Sequence, residues 1–303
     1  MTVRSSHIVN STFPAPSAVL ELFKPITWFP PMWAFACGVV SSGISPSAYW
    51  LTIFLGVLLT GPLVCATSQA VNDWFDRHVD AINEPDRPIP SGRVPGRWGL
   101  WIGIGWSVVS LLVAWYLGPV VLTAAIVGLL LAWAYSAPPF RLKQSPWYGY
   151  AACGLCYEGL PWVTGAAVLL AGALPDAKIL VVAALYSAGA HGIMILNDFK
   201  SVEGDRSLGL NSLPVVLGAQ KAARFACVVM AVPQLLLLFF LWHWGLPLAC
   251  AVVLVSIALQ LVCMRRFLSD PLAFAPWYNA TGVTLYVLGM MATAIALRSV
   301  FAP

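Results

Sequence analysis

Ser68–Arg93 reads SQAVNDWFDRHVDAINEPDRPIPSGR, between one long apolar run and the next. The whole chain of 303 residues has only 12 acids, yet Asp73, Asp76, Asp80, Glu84 and Asp86 all fall inside this segment. What the charge does there depends on the solvent. Hydrophobic residues make up 60% of the chain and charged ones 9%, against about 25% charged in a soluble domain. A soluble core cannot hide that much apolar surface, so the solvent is lipid. Residues 1–23 contain no apolar stretch ahead of a small-residue cleavage site, so secretory processing is not expected.

Runs long enough to span roughly 30 Å of hydrocarbon lie near 25–42, 50–71, 99–117, 119–136, 148–170, 179–197, 222–242, 245–263 and 278–298. The expectation is an all-α membrane protein. A short N-terminal segment, 1–24, precedes a single domain of nine transmembrane helices, 25–303. Strands are excluded because the runs are too long and lack period-2 alternation. Of the 16 Lys and Arg, all but Lys178 and Arg298 fall in the N-terminal segment or in alternate loops after it. Basic loops stay in the cytoplasm, so the N-terminus and the charged loops are expected there and the C-terminus on the opposite side. Trp28, Trp50, Trp98, Trp147, Trp242 and Trp277 sit near span ends, as an aromatic belt does. The seven Cys lie in or beside apolar runs and read as small buried hydrophobes. The CxxC spacing of Cys153 and Cys156 has no second pair to make a metal site.

Two cytoplasmic loops are long, 72–98 and 198–221, and each opens with Asn-Asp, which suggests an internal duplication. If the helix before Asn72 continues past it, Asp73, Asp76 and Asp80 fall about 100°, 40° and 80° around from Asn72. All four polar groups then share one stripe. From Asn197, Asp198 and Asp205 fall at about 100° and 80°, whereas Glu203 points away at about 240° unless Gly204 breaks the helix. Ser201 takes the place equivalent to Asp76. Stacked carboxylates repel one another, and a cation relieves the repulsion. All-oxygen, partly hydrated sites suit Mg²⁺, which borrows oxygens from a substrate phosphate. Asn72, Asp73, Asp76, Asp80, Asn197, Asp198 and Asp205 are the expected metal-organising residues, with the five Asp as the catalytic set. Arg87, Arg141 and Lys143 are expected to hold a diphosphate, because metal plus Arg or Lys stabilises a leaving phosphate. Glu158 and His191 are ionisable residues inside the membrane. Such residues are functional candidates by default, here for a substrate chamber. His191 lies seven positions before Asp198, on the same helical face and about 10 Å deeper.

A charged head for the metal and a hydrocarbon tail among apolar helices describe a prenyl diphosphate. Asn72-Asp73-x-x-Asp76-x-x-x-Asp80 resembles the first aspartate motif of the UbiA superfamily of intramembrane prenyltransferases. The stretches NDWFDRHVDAINEPDRPIPSGR (72–93), AYSAPPFRLKQ (134–144) and NDFKSVEGDRSLGLNSLPVVLG (197–218) are similar to its chlorophyll and bacteriochlorophyll synthase branch. The resemblance spans nearly the whole chain. It departs from the fuller second motif of the superfamily at Ser201, where an aspartate would stand. It implies a nine-helix UbiA-type bundle, Mg²⁺ as cofactor, and a reaction in which geranylgeranyl or phytyl diphosphate esterifies the propionate of a (bacterio)chlorophyllide. The partners implied are that prenyl diphosphate, the tetrapyrrole and the lipid bilayer, with no nucleic acid. The competing acceptors are a quinone precursor or haem. The competing class is a divalent-cation transporter, which needs acids near the midplane in broken helices; Glu158 alone meets that.

Overall fold

The computed structural model describes residues 12–207, 209 and 211–301, and among them every regular element is helical. Arg4 and the N-terminal segment before residue 12 lie outside the described residues. Helix α1 (Pro16–Leu22) is followed by a 3₁₀ turn and α2 (Phe29–Ser41). A continuous rod, Pro46–Asn83, contains α3 (Trp50–Leu58), a π segment (Leu59–Cys65) and α4 (Ala66–Asn83). Next come α5 (Trp98–Leu117) and α6 (Pro119–Ser136), then α7 (Pro146–Gly154), a second π segment (Leu155–Gly159) and α8 (Leu160–Leu169). The chain ends with α9 (Ala177–Asp198), the short α10 (Val202–Ser207) and α11 (Leu213–Leu217), then α12 (Ala219–His243), α13 (Pro247–Ser269) and α14 (Pro271–Phe301).

Among the described residues, seven helices are long and apolar enough to cross a membrane: the Pro46–Asn83 rod, α5, α6, α9, α12, α13 and α14. The other two expected runs, 25–42 and 148–170, form α2, of 13 residues, and the interrupted α7–α8 rod. Half of the expected loop 72–98 is helix, because α4 runs on to Asn83. The true loop is 84–97. Within 198–221, α10 and α11 replace an irregular loop.

The two π segments follow from prolines in apolar runs. Proline lacks an N–H, and its ring clashes with the carbonyl four residues back, here that of Leu58 for Pro62 and Tyr157 for Pro161. A wider turn relieves the clash, and π turns recur at functional sites. The Pro62 carbonyl is itself satisfied by the Trp106 indole N–H at 3.0 Å.

Small residues let α2 and α8 touch backbone to backbone, the usual packing of membrane helices. A Cβ on Gly38 would lie 2.0 Å from the Trp162 carbonyl oxygen, and one on Gly165 2.0 Å from that of Phe35. The α5–α6 turn meets the loop after α8 just as closely. Gly118 has φ 119°, and a Cβ there would sit 2.6 Å from Gly172 Cα. These contacts fix α8 behind the space between α4, α6 and α7. On the other side, α9 packs on α12, and α13 on α14. A buried aromatic column of Trp162, Tyr186 and Tyr286, with ring centroids 5.6 and 5.2 Å apart, joins α8, α9 and α14.

Candidate active site

Asn72, Asp73, Asp76 and Asp80 share α4 and lie on one stripe, as its period requires. Asn72 Nδ2 donates to Asp76 Oδ2 at 3.1 Å and to Ser136 Oγ of α6 at 3.2 Å. Each acid has a basic partner from elsewhere in the chain. The Lys24 ammonium donates to Asp73 Oδ1 at 2.7 Å. Arg87 donates to Asp80 at 2.9 Å and to Glu84 at 2.5 Å, and lies 3.6 Å from Asp73. Lys143 is hydrogen-bonded to Asp76. Burial by itself would lower the pKa of Arg87, but the Glu84 hydrogen bond and the Asp73 and Asp80 charges outweigh it, and the pKa is raised.

Lys24 contributes beyond its share in the basic-loop asymmetry. It follows α1 in a left-handed conformation, φ 45°, which aims its side chain across to α4. The packing of Leu22 and Phe23 against Ala66 and Ala70 holds that geometry. Arg93 reaches back from the 84–97 loop to Glu21 at 2.5 and 2.8 Å. Helix α1 and Lys24 are thus tied to the first acid stripe and to the loop that follows it.

The second group is thinner, as its composition predicts. Asp198 accepts a hydrogen bond from the Tyr150 hydroxyl of α7. The same hydroxyl accepts from the Leu213 N–H at 3.2 Å. Ser201 donates to Asp205 Oδ2 at 3.2 Å, so a hydroxyl donor stands where the first stripe has the carboxylate of Asp76. Glu203 is exposed, and Gly204 lies inside α10; the break comes earlier, between Asp198 at the end of α9 and Val202 at the start of α10, so residues 197–205 do not form one helical stripe. Asn197 turns to α14, where Asn279 Nδ2 donates to its Oδ1 at 3.1 Å.

Beneath Asn72 lies a cavity of about 210 Å³, walled by the first π segment, α4, α6, α7 and the second π segment. Ser68, Gln69, Asn72, Tyr135 and Tyr157 give it a polar upper part. A smaller cavity of about 30 Å³ lies against it, lined by apolar residues of the two π segments, α6 and α8 with Thr60 and Thr164. Tyr135 and Cys153 line the larger cavity, and Cys153 lies on α7, the helix whose Tyr150 bonds Asp198. Helix α7 therefore runs from the cavity wall to the second acid group. Cys65, Cys153 and Cys156 line the cavity too, so these three thiols do more than fill a core.

Of the expected diphosphate ligands, Arg87 and Lys143 stand at the acid stripe. Arg141 sits in the same loop as Lys143, with φ 41°, and its Nε is buried without a hydrogen-bond partner. Glu158 and His191 are not among the residues lining either cavity. Glu158 is buried in the second π segment with Oε2 unpartnered. His191 Nδ1 is 3.1 Å from the Ser187 carbonyl of its own helix.

Among the described residues, no three His, Cys, Asp or Glu side chains form a cage for a metal ion. The donors fit a different arrangement. They are oxygens, and Asp73 Oδ2 is buried with no hydrogen-bond partner. An Mg²⁺ ion held by one or two carboxylates, with waters and substrate phosphate oxygens completing its shell, needs no protein-only cage.

The geometry has the features of an intramembrane transferase, and comparison with known proteins gives its family. The UbiA prenyltransferase family model matches residues 27–279, and the chain belongs to that family. It is 58% identical over 285 residues to the bacteriochlorophyll synthase 33 kDa chain of Cereibacter sphaeroides, covering 94% of each chain. It is 39% identical over 291 residues to the chloroplastic chlorophyll synthase of Oryza sativa, covering 91% of this chain and 76% of that one. The structure of a UbiA homologue from Archaeoglobus fulgidus bound to GPP and Mg²⁺ superposes with a TM-score of 0.69 at 20% identity, over 90% of this chain and 99% of the other. The branch resemblance carried by 72–93, 134–144 and 197–218 is borne out.

Proposed function

We propose that the protein esterifies the propionate of a (bacterio)chlorophyllide with a prenyl group from geranylgeranyl or phytyl diphosphate, releasing diphosphate. The observation that carries this is an acid stripe, threaded with Lys24, Arg87 and Lys143, at the polar mouth of a cavity that turns apolar with depth. That gradient matches a diphosphate head on a hydrocarbon tail. The names of the two synthase relatives support the acceptor.

Asp73, Asp76 and Asp80, with Asn72, would hold Mg²⁺ on one side, and Asp198 and Asp205, with Asn197, on the other. When bound, the metal supplies positive charge against the diphosphate oxygens as the allylic C–O bond breaks. Arg87, Arg141 and Lys143 bind the same oxygens. The electron pair of the breaking bond leaves with the diphosphate, and a propionate oxygen forms the new C–O bond to the allylic carbon. A carboxylate is already ionised near neutral pH, so no residue has to act as a strong base. The apolar walls keep water from the allylic carbon. In the bilayer, α2 and the α7–α8 rod join the seven long helices to make nine spans, with the acid groups on the cytoplasmic side and the C-terminus opposite.

The test offers bacteriochlorophyllide and chlorophyllide, each with geranylgeranyl or phytyl diphosphate, to membranes containing the protein. Ester formation with one or both pigments supports the proposal. Folded protein that esterifies neither, and instead prenylates a quinone precursor or haem, overturns it.

A further inference from the structure

The two cavities meet at a neck. Thr60, Val64, Gly128 and Cys156 line both. At the neck, a Cβ added to Gly128 would lie 3.6 Å from Leu160 Cδ1 and 3.6 Å from Val64 Cγ1. One methyl would just fit, and any longer side chain would fill the passage. We infer that Gly128 is the gauge of donor chain length, and that the neck it leaves open admits the far end of a twenty-carbon prenyl chain to the lower cavity. The inference rests on the proposed prenyl diphosphate donor.

Depth along α6 supports the assignment. Asn72 bonds Ser136, so the polar head sits level with Tyr135 and Ser136 at the top of the cavity. At 1.5 Å per residue, Gly128 lies about 10 Å below Tyr135, and Ala124, in the floor of the lower cavity, about 17 Å below. An extended carbon chain with ~1.5 Å bonds advances about 1.25 Å per bond, so ten-, fifteen- and twenty-carbon prenyl chains reach about 9, 14 and 19 Å. The ten-carbon chain ends above the neck. The fifteen-carbon chain passes it, and the twenty-carbon chain runs to the floor. The upper cavity alone would hold the first and not the other two.

The experiment compares wild type, Gly128→Leu and Ala124→Leu in membranes. Each is given the accepted pigment with geranyl, farnesyl and geranylgeranyl diphosphate, and kcat/KM is measured for each donor. A site rejects even one misplaced methylene by about tenfold or more. Gly128→Leu should lose that much or more with the fifteen- and twenty-carbon donors while still using the ten-carbon one. Ala124→Leu, at the floor, should lose only the twenty-carbon donor. Retained use of the shorter donors shows that each variant is folded, and either variant alone is a sufficient test. Equal loss with every donor, as when the pigment fills the cavity, overturns the gauge. So does an unchanged length profile in Gly128→Leu. If wild type transfers no prenyl group to any pigment, the proposed function fails instead.

Discussion

Tyr150→Phe removes one oxygen with two duties. The hydroxyl donates to Asp198 and accepts from the Leu213 N–H at 3.2 Å. It therefore couples the second acid group to the segment that follows it. A hydrogen bond to a charged group contributes about 1.5–3 kcal/mol, and 1.36 kcal/mol is tenfold in rate. If Asp198 must be held in place to organise the metal and diphosphate, kcat/KM should fall by about ten- to a hundredfold. The Mg²⁺ concentration for half-maximal rate should rise in parallel. Separately, the Leu213 N–H loses its partner, which costs about 1–3 kcal/mol of stability. Mg²⁺ titrations of esterification in wild type, Tyr150→Phe and Asp198→Asn, run beside thermal unfolding in detergent, separate the two effects. A lowered unfolding temperature with unchanged Mg²⁺ dependence would refute the positioning role and leave Tyr150 as a structural tie.

Arg141→Lys keeps the charge and loses the planar fork; with Nε buried and unpartnered, the expected result is a KM for the prenyl diphosphate raised about tenfold and little change in kcat. Gly38→Ala places a methyl 2.0 Å from a backbone oxygen, so α2 and α8 must separate; overpacking costs about 1–3 kcal/mol, to be read as a lower unfolding temperature. The Arg93 hydrogen bond holds the Glu21 carboxyl below its ordinary value of 4.5, against a small opposing effect of burial. A depressed carboxylate stabilises above its unfolded pKa and loses that stabilisation as pH falls through the folded one. Proteolysis of the 84–97 loop should therefore rise as the pH falls below 4.5 and in high salt, and Glu21→Gln should show the faster cleavage already at pH 7.

The first acid stripe was legible because a helix has a fixed period, and α4 keeps it as far as Asn83. The same arithmetic does not carry to the second group, because α9 ends at Asp198 and Glu203 belongs to a separate helix, α10. The long apolar runs gave the helices, but not the interruption of two of them, although Pro62 and Pro161 stood in the runs as the signal. What periodicity cannot reach is contact between distant segments. Lys24 on Asp73, Tyr150 on Asp198 and Asn279 on Asn197 join residues 49, 48 and 82 positions apart. Lys24 was read only as a basic residue of the N-terminal segment, and Tyr150 and Asn279 lay unmarked in apolar helices. The three cysteines around the cavity looked like any small apolar residues, because a thiol facing a cavity and one facing a core have the same sequence surroundings. Glu158 and His191 stood out by being ionisable in lipid, and the cavities lie elsewhere.

The central claim is that the two acid groups act together on a metal-bound diphosphate. Its most direct test is the rate of ester formation against Mg²⁺ concentration, in wild type, Asp76→Asn and Asp198→Asn, with a chelator-treated control. The account predicts no ester in chelator, recovery on adding Mg²⁺, and a loss of about a hundredfold or more in each variant, as for removal of a preorganised electrostatic group. Full activity in chelator, or a rate untouched by either substitution, would contradict it.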